Sequence, residues 1–197
     1  MSLAWARRWR TGCVLLALLA ASCGGEPWHA KNVQGMIPDL AFDMTSDEGR
    51  ELRAADVRGE VVLLFFGYTH CPDVCPTTLA RLSQAIKAMG DKGRRVRILF
   101  VTVDPARDPP ALLHGYVKAF SAQATGLRGS TTQLDALTRR YRVAYGRDVP
   151  DAHGNYAVSH SSAVFAFDAE GKARLLIQPD LSAGDIAADL ARLVAGA

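Results

Sequence analysis

The stretch Val61-Val62-Leu63-Leu64-Phe65-Phe66-Gly67-Tyr68-Thr69-His70-Cys71-Pro72-Asp73-Val74-Cys75-Pro76-Thr77 runs from unbroken apolar residues into a proline-flanked cysteine pair. A short continuous apolar run bounded by glycine and proline reads as a buried strand. Downstream, Leu79, Leu82, Ile86 and Met89 recur at helical spacing, so a helix follows the cysteines directly. A strand that feeds a helix N-terminus presents free backbone N–H groups and a positive dipole end. Thiols held there are expected to lose their protons more readily, and the thiolate is both a metal ligand and a redox nucleophile. The stretch therefore announces either a soft-metal site or a disulfide switch.

Working outward, strands and helices alternate. Leu40 to Met44 and Glu51-Leu52, joined through Ser46-Asp47-Glu48-Gly49, read as an N-terminal β-hairpin. Val96 to Val103 is a second buried strand. Asp108 followed by Pro109 reads as an N-cap and first helical position, opening a helix with the apolar face Leu112, Leu113, Tyr116, Val117 and Phe120. Ser130 and Gln133 form a capping box ahead of Leu134, Leu137 and Tyr141. Ser162 to Phe167 and Ala173 to Ile177 flank a turn, and Ser182 with Asp185 caps a last helix carrying Ile186, Leu190 and Leu193. The expected fold class is α/β: a thioredoxin-like three-layer sandwich with an N-terminal β-hairpin, extra inserted elements and parallel central strands. The cysteines fall at the carboxyl end of a central strand, where open α/β sheets place their sites.

The N-terminus reads as a targeting segment. Arg7, Arg8 and Arg10 precede an apolar core of nine residues from Cys13 to Ala21, and Ala20-Ala21-Ser22-Cys23 follows. Nine residues are far short of the ~20 that span a bilayer, so residues 1–22 are expected to be a signal peptide. The small residues before Cys23 resemble a bacterial lipobox, which makes Cys23 the lipidated first residue of the mature chain. Residues 23–36 then read as a tether, with a typical flexible span of ~20 Å that would hold the site close to the membrane. Residues 37–197 form the domain. The three arginines belong to the 23 Lys+Arg of the chain, which leaves 20 basic against 20 acidic residues. Nothing in that balance suggests nucleic-acid binding. With Cys13 and Cys23 accounted for, Cys71 and Cys75 have only each other, which excludes a scaffold of structural disulfides.

The segment Gly67 to Pro76 resembles the signature of the Sco/SenC family, thioredoxin-like proteins that bind copper and help assemble cytochrome c oxidase. Val103-Asp104-Pro105-Ala106-Arg107-Asp108 and Tyr156-Ala157-Val158-Ser159-His160-Ser161 resemble two further segments of that family, in the same order. The resemblance covers most of residues 37 to 196. It implies one copper ion bound by Cys71, Cys75 and His160, as Cu(I) and possibly Cu(II). It also implies an upstream copper-donor protein, delivery to the copper-containing oxidase subunit, and a monomer lipid-anchored in the bacterial cell envelope, facing the periplasm or outside. Many family members carry Asp before the distal histidine, where this chain has Ser159; a carboxylate there would orient the imidazole.

The chemistry agrees with the resemblance. Copper(I) is soft and suits thiolate with imidazole. Three residues separate the cysteines, against two in a thioredoxin redox site, and an i, i+4 pair on a helix lies on one face. No proline stands between Pro150 and Pro179, whereas thioredoxin-like reductases keep a cis-proline beside the active cysteines. The expected role is a metallochaperone rather than an enzyme. A thiol–disulfide oxidoreductase using Cys71 and Cys75 is the alternative, and a thiol peroxidase a distant third. His70 is assigned a supporting role. His29, His114 and His153 read as surface histidines, and Asp104 and Asp108 as turn and cap residues.

Overall fold

In the computed structural model, which describes residues 27–151 and 156–196, all seven residues of the strand Val61–Gly67 are buried. The elements in chain order are β1 (Lys31–Asn32), β2 (Asp43–Ser46), β3 (Glu51–Arg53), β4 (Val61–Gly67), α1 (Val74–Ala88), β5 (Val96–Thr102), α2 (Pro110–Phe120), β6 (Ala124–Arg128), α3 (Thr131–Tyr141), β7 (Tyr145–Arg147), β8 (Val158–His160), β9 (Val164–Phe167), β10 (Ala173–Ile177) and α4 (Ala183–Val194). Eight strands form one sheet in the order β1-β10-β9-β4-β5-β6-β2-β3, while β7 and β8 pair separately. The expected parallel pairing of the two central runs is observed, with Val61 opposite Val96 and Gly67 opposite Thr102. The expected hairpin is β2–β3, with Met44 opposite Leu52.

Alternation along β4 assigns its faces. Phe65 packs edge-on to Phe100, which meets Tyr116 of α2, and Gly67 on the same face lies against Cys75 of α1. Leu64 on the other face stands opposite Phe165, whose ring meets Tyr141 of α3 at 5.5 Å between centroids. Helices thus cover both faces, giving three layers. Because β4 is sandwiched on both sides, it reads in sequence as a continuous apolar run rather than an alternating one.

Two capping expectations hold: Ser130 accepts from the Gln133 N–H with a full capping box, and Ser182 accepts from the Asp185 N–H. One does not. The N-cap of α2 is Pro109, and Asp108 is instead fully buried, turned toward the end of β5. The reading of residues 23–36 as a tether also changes over its described part. Lys31–Asn32 adds to the edge of the sheet beside β10, and buried Asp189 of α4 accepts the N–H groups of His29 at 3.1 Å and Ala30 at 2.7 Å. Pro27 onward therefore belongs to the fold. The signal segment 1–22, Cys23 and His153 lie outside the described residues. Among the described residues no helix is long and apolar enough to cross a membrane.

Asp189→Ala strands both N–H groups, and buried donors left unpaired cost about 1–3 kcal/mol in total or more. The expected outcome is a midpoint lowered by several degrees in a thermal melt, at about 2–4 °C per kcal/mol for a chain of this size.

Candidate metal centre

β4 delivers the chain to a tight turn in which the Cys71 N–H donates to the Tyr68 carbonyl at 3.3 Å. Helix α1 begins only at Val74, so Cys75 lies in its first turn and Cys71 in the loop before it. The expected i, i+4 pair on one helix face is thus a loop–helix pair. The turn still brings the sulfurs together. Both thiols are free, Cys71 half-buried and Cys75 fully buried.

His160 arrives from the other side, at the end of β8. Its Nε2 stands 3.3 Å from the Cys75 Sγ, and the ligand atoms of Cys71, Cys75 and His160 all lie within 4.8 Å of one another. For metal–ligand bonds of about 2.0–2.3 Å, as at zinc, a trigonal set stands roughly 4 Å apart. The cluster is therefore near the size of a one-ion site. The imidazole sits edge-on to Phe65 and Tyr68, at 6.2 and 5.8 Å between centroids. Its Nδ1 lies 2.9 Å from the Ser161 carbonyl, an acceptor, which assigns the proton to Nδ1 and leaves the Nε2 lone pair facing the sulfurs. A backbone carbonyl thus does the orienting that an aspartate before the histidine would do. Ser159 is exposed and donates to the Gly146 carbonyl at 3.3 Å.

Burial changes the expectation for the thiols. The Cys75 thiol is pushed far above its ordinary value, chiefly by desolvation and further by the neighbouring Cys71. A hydrogen bond from the Tyr68 backbone works against this but does not prevail. Position in the first helical turn is outweighed by the apolar surroundings. Without a cation nearby, Cys75 is a thiol rather than a free nucleophile.

Two buried carboxylates, read from sequence as turn and cap residues, hold the scaffold of the site. Asp108 accepts from the Thr69 N–H at 3.1 Å, from the Thr69 Oγ1 at 2.6 Å and from Thr102 Oγ1 at 2.5 Å, fixing the start of the cysteine turn against the end of β5. His70, exposed, stands 3.6 Å from the same carboxylate and contributes no atom to the cluster. Asp104 accepts from Arg107 Nε at 2.5 Å and from the Tyr156 hydroxyl at 2.9 Å, and pairs with Arg147 at 3.1 Å. Arg107 lies 3.5 Å over the Tyr156 ring and donates to the Tyr156 carbonyl. These contacts pin the β7–β8 hairpin, and with it His160, to the end of β5. The Asp-x-x-Arg-Asp spacing carried this signal, though only the fold shows which way each carboxylate turns. His114 pairs with Asp47 at 3.1 Å and His29 with Asp185 at 3.5 Å, both away from the cluster.

Gly67 belongs to the motif, and the structure gives its reason. A Cβ there would meet Cys75 Sγ at 2.8 Å and the Phe100 ring at 2.7 Å. Gly67→Ala is expected to push the sulfur away from His160. The checks are a thermal midpoint lowered by several degrees, as overpacking by one methyl costs about 1–3 kcal/mol, and weaker metal binding in titration.

With this geometry in view, comparisons place the chain. A family model described as SCO1/SenC matches residues 34–195. The human protein named "Protein SCO2 homolog, mitochondrial" is 38% identical over 82% of this chain and 67% of its own length. Its mouse counterpart is 35% identical over 79% of this chain and 64% of its own. Among solved structures, copper-bound ScoI of Bradyrhizobium japonicum is 34% identical with a TM-score of 0.72, covering 78% of this chain and 98% of that one. Apo Sco1 of Thermus thermophilus is 35% identical with a TM-score of 0.73, covering 86% and 99%. A motif, a three-layer fold and a match over most of the chain agree, and the chain belongs to the SCO1/SenC family.

Proposed function

We propose that this chain is a copper chaperone that binds one copper ion through Cys71, Cys75 and His160 and delivers it to cytochrome c oxidase during assembly. The observation that carries the reading is the convergence of two sulfurs and one imidazole nitrogen within 4.8 Å at the end of β4. Thiolate and imidazole together suit copper(I), and relatives with this fold are described as copper-bound. The layout also supports release. Cys75 is buried at the floor, while Cys71 and His160 are half-buried at the rim. A ligand of the receiving subunit reaches the ion from the rim side and displaces those two first, so copper passes by stepwise ligand exchange and no redox change is required.

The thiol–disulfide oxidoreductase reading loses ground to the same geometry. The position beside the cysteines holds His160 rather than a proline. The chain further fits a lipid-anchored protein of the bacterial envelope, with Cys23 as the acylated residue and residues 1–22 removed.

Copper must displace the proton of the Cys75 thiol, so affinity is linked to pH. The folded thiol titrates above its ordinary value, so it is protonated throughout the neutral range. Apparent copper affinity is therefore expected to rise with pH there, about tenfold per unit for each proton released. A preformed Cys71–Cys75 disulfide is expected to take up little copper until reductant is added. Competition titrations of reduced protein from pH 6 to 8 check the first, and titrations of oxidised protein before and after reductant check the second. In cells, loss of the protein is expected to leave an oxidase deficient in copper, restored by the wild-type chain and not by Cys75→Ser. Restoration by Cys75→Ser, or disulfide protein that binds copper as tightly as the dithiol, would contradict the reading.

A further inference from the structure

Pro27 and Trp28 lie beside the last turn of α4, toward the end of the fold opposite Cys71, Cys75 and His160. Trp28 is half-buried against two guanidinium groups, those of Arg192 at 3.8 Å and Arg174 at 5.9 Å from its ring centroid. Arg192 also donates to the Pro27 carbonyl at 3.2 Å. Arg174 is held in turn by Asp168 at 3.0 Å, in the turn between β9 and β10. Phe167, just before that turn, stands opposite Val62, so the turn lies where β4 begins. The cysteines follow where β4 ends. Seven residues of strand at about 3.3 Å each put some ~20 Å between the two poles.

That proximal pole is basic. Helix α1 starts beside the cysteines and ends here, and Arg95 donates to the Val194 carbonyl at the end of α4. Lys87, Lys92, Arg94 and Arg95 are all exposed, with Asp91 the only acid between them in sequence. Asp91 pairs with Arg94 at 2.8 Å, leaving the local excess positive. Arg58 is exposed nearby, its guanidinium lying against Gly171 of the β9–β10 turn. The acids at this end are Glu60, paired with Arg97, Asp168, paired with Arg174, and exposed Glu170 in the β9–β10 turn, so cations outnumber acids there.

We propose that this basic pole docks on an anionic lipid surface and holds the copper-site pole facing away from the bilayer. The inference rests on the reading of Cys23 as the anchored residue. Between Cys23 and the clasped Pro27 stand three residues, 24 to 26, so four residue steps at no more than ~3.6 Å each allow a leash of at most ~14 Å. That is shorter than the separation of the poles. The short leash thereby favours orientations with this pole toward the bilayer and the copper site away from it. Clustered Lys and Arg side chains are attracted to anionic headgroups within about a Debye length, ~8 Å at physiological salt, and the leash delivers this pole into that range. Docking presents the site outward at a fixed height, in place of a flexible tether that lets it lie near the headgroups.

The processed chain supplies its own reporter, since Trp5 and Trp9 precede Cys23 and Trp28 alone follows it. Full processed protein is placed on vesicles of phosphatidylglycerol and phosphatidylcholine doped with a headgroup-nitroxide lipid. Quenching is read from Trp28, and from a bimane carried on Cys71 in Cys75→Ser protein. The expected result is Trp28 quenched several-fold more than the bimane. A triple Lys92→Glu, Arg94→Glu, Arg95→Glu variant, or 1 M salt, should shrink that difference. Bimane quenched as strongly as Trp28, or Trp28 unquenched in protein that floats with the vesicles, overturns the proposal. Failure of the anchor reading has its own signature: processed protein that does not float with pure phosphatidylcholine vesicles. Cys23→Ser protein made without residues 1–22, so that Trp28 remains its sole tryptophan, then decides the docking alone on phosphatidylglycerol vesicles, and absence of salt-sensitive Trp28 quenching overturns it.

Discussion

Burial of Cys75 against the end of β4 sets the terms for the rest of the site. The strand Val61–Gly67 is covered on both faces, so its last residue and the sulfur beside it sit in a water-poor environment. That environment makes a bare thiolate costly and raises the Cys75 thiol. A soft cation removes the penalty, because it supplies the positive charge that the surroundings lack. Gly67 makes the approach of sulfur to strand sterically possible, since any Cβ there would collide with it. Position, protonation and metal preference thus follow from one packing contact.

The second requirement is that His160 arrive from a different part of the chain, 85 positions after Cys75. Loops position ligands well only when something rigid holds them. Here the holding is done by Asp104, which gathers Arg107, Arg147 and Tyr156 at the end of β5. Asp108 does the same for the cysteine turn through Thr69 and Thr102. Neither carboxylate is exposed. Each accepts several hydrogen bonds, which is the condition for keeping a charge inside a fold. The site is therefore assembled on the carboxyl ends of two parallel strands, with one aspartate for each arm.

Much of this was legible in the sequence. The apolar runs at Val61 and Val96, the capping pairs at Ser130 and Ser182 and the cysteine motif carry local signals that tertiary packing did not override. Cys71, Cys75 and His160 were nominated by motif, and they meet in space. What sequence could not give were directions. Asp108 before Pro109 has the pattern of a cap, yet its side chain turns inward because Thr69 and Thr102 wait there. Cys71 at four residues from Cys75 has helical spacing, yet the helix starts at Val74 and a turn does the work. Residues 27–36 have the composition of a linker, yet Asp189, far along the chain, accepts two of their N–H groups. Each of these depends on a long-range partner that no local window contains.

The central claim is that Cys71, Cys75 and His160 hold the same ion. X-ray absorption at the copper edge of the reduced, copper-loaded protein measures it directly. Two sulfur scatterers and one imidazole nitrogen on a single copper are the expected first shell. His160→Ala should remove the imidazole signal while both sulfurs remain. A shell that keeps its imidazole in His160→Ala, or that holds fewer than two sulfurs in the unaltered protein, would contradict the account.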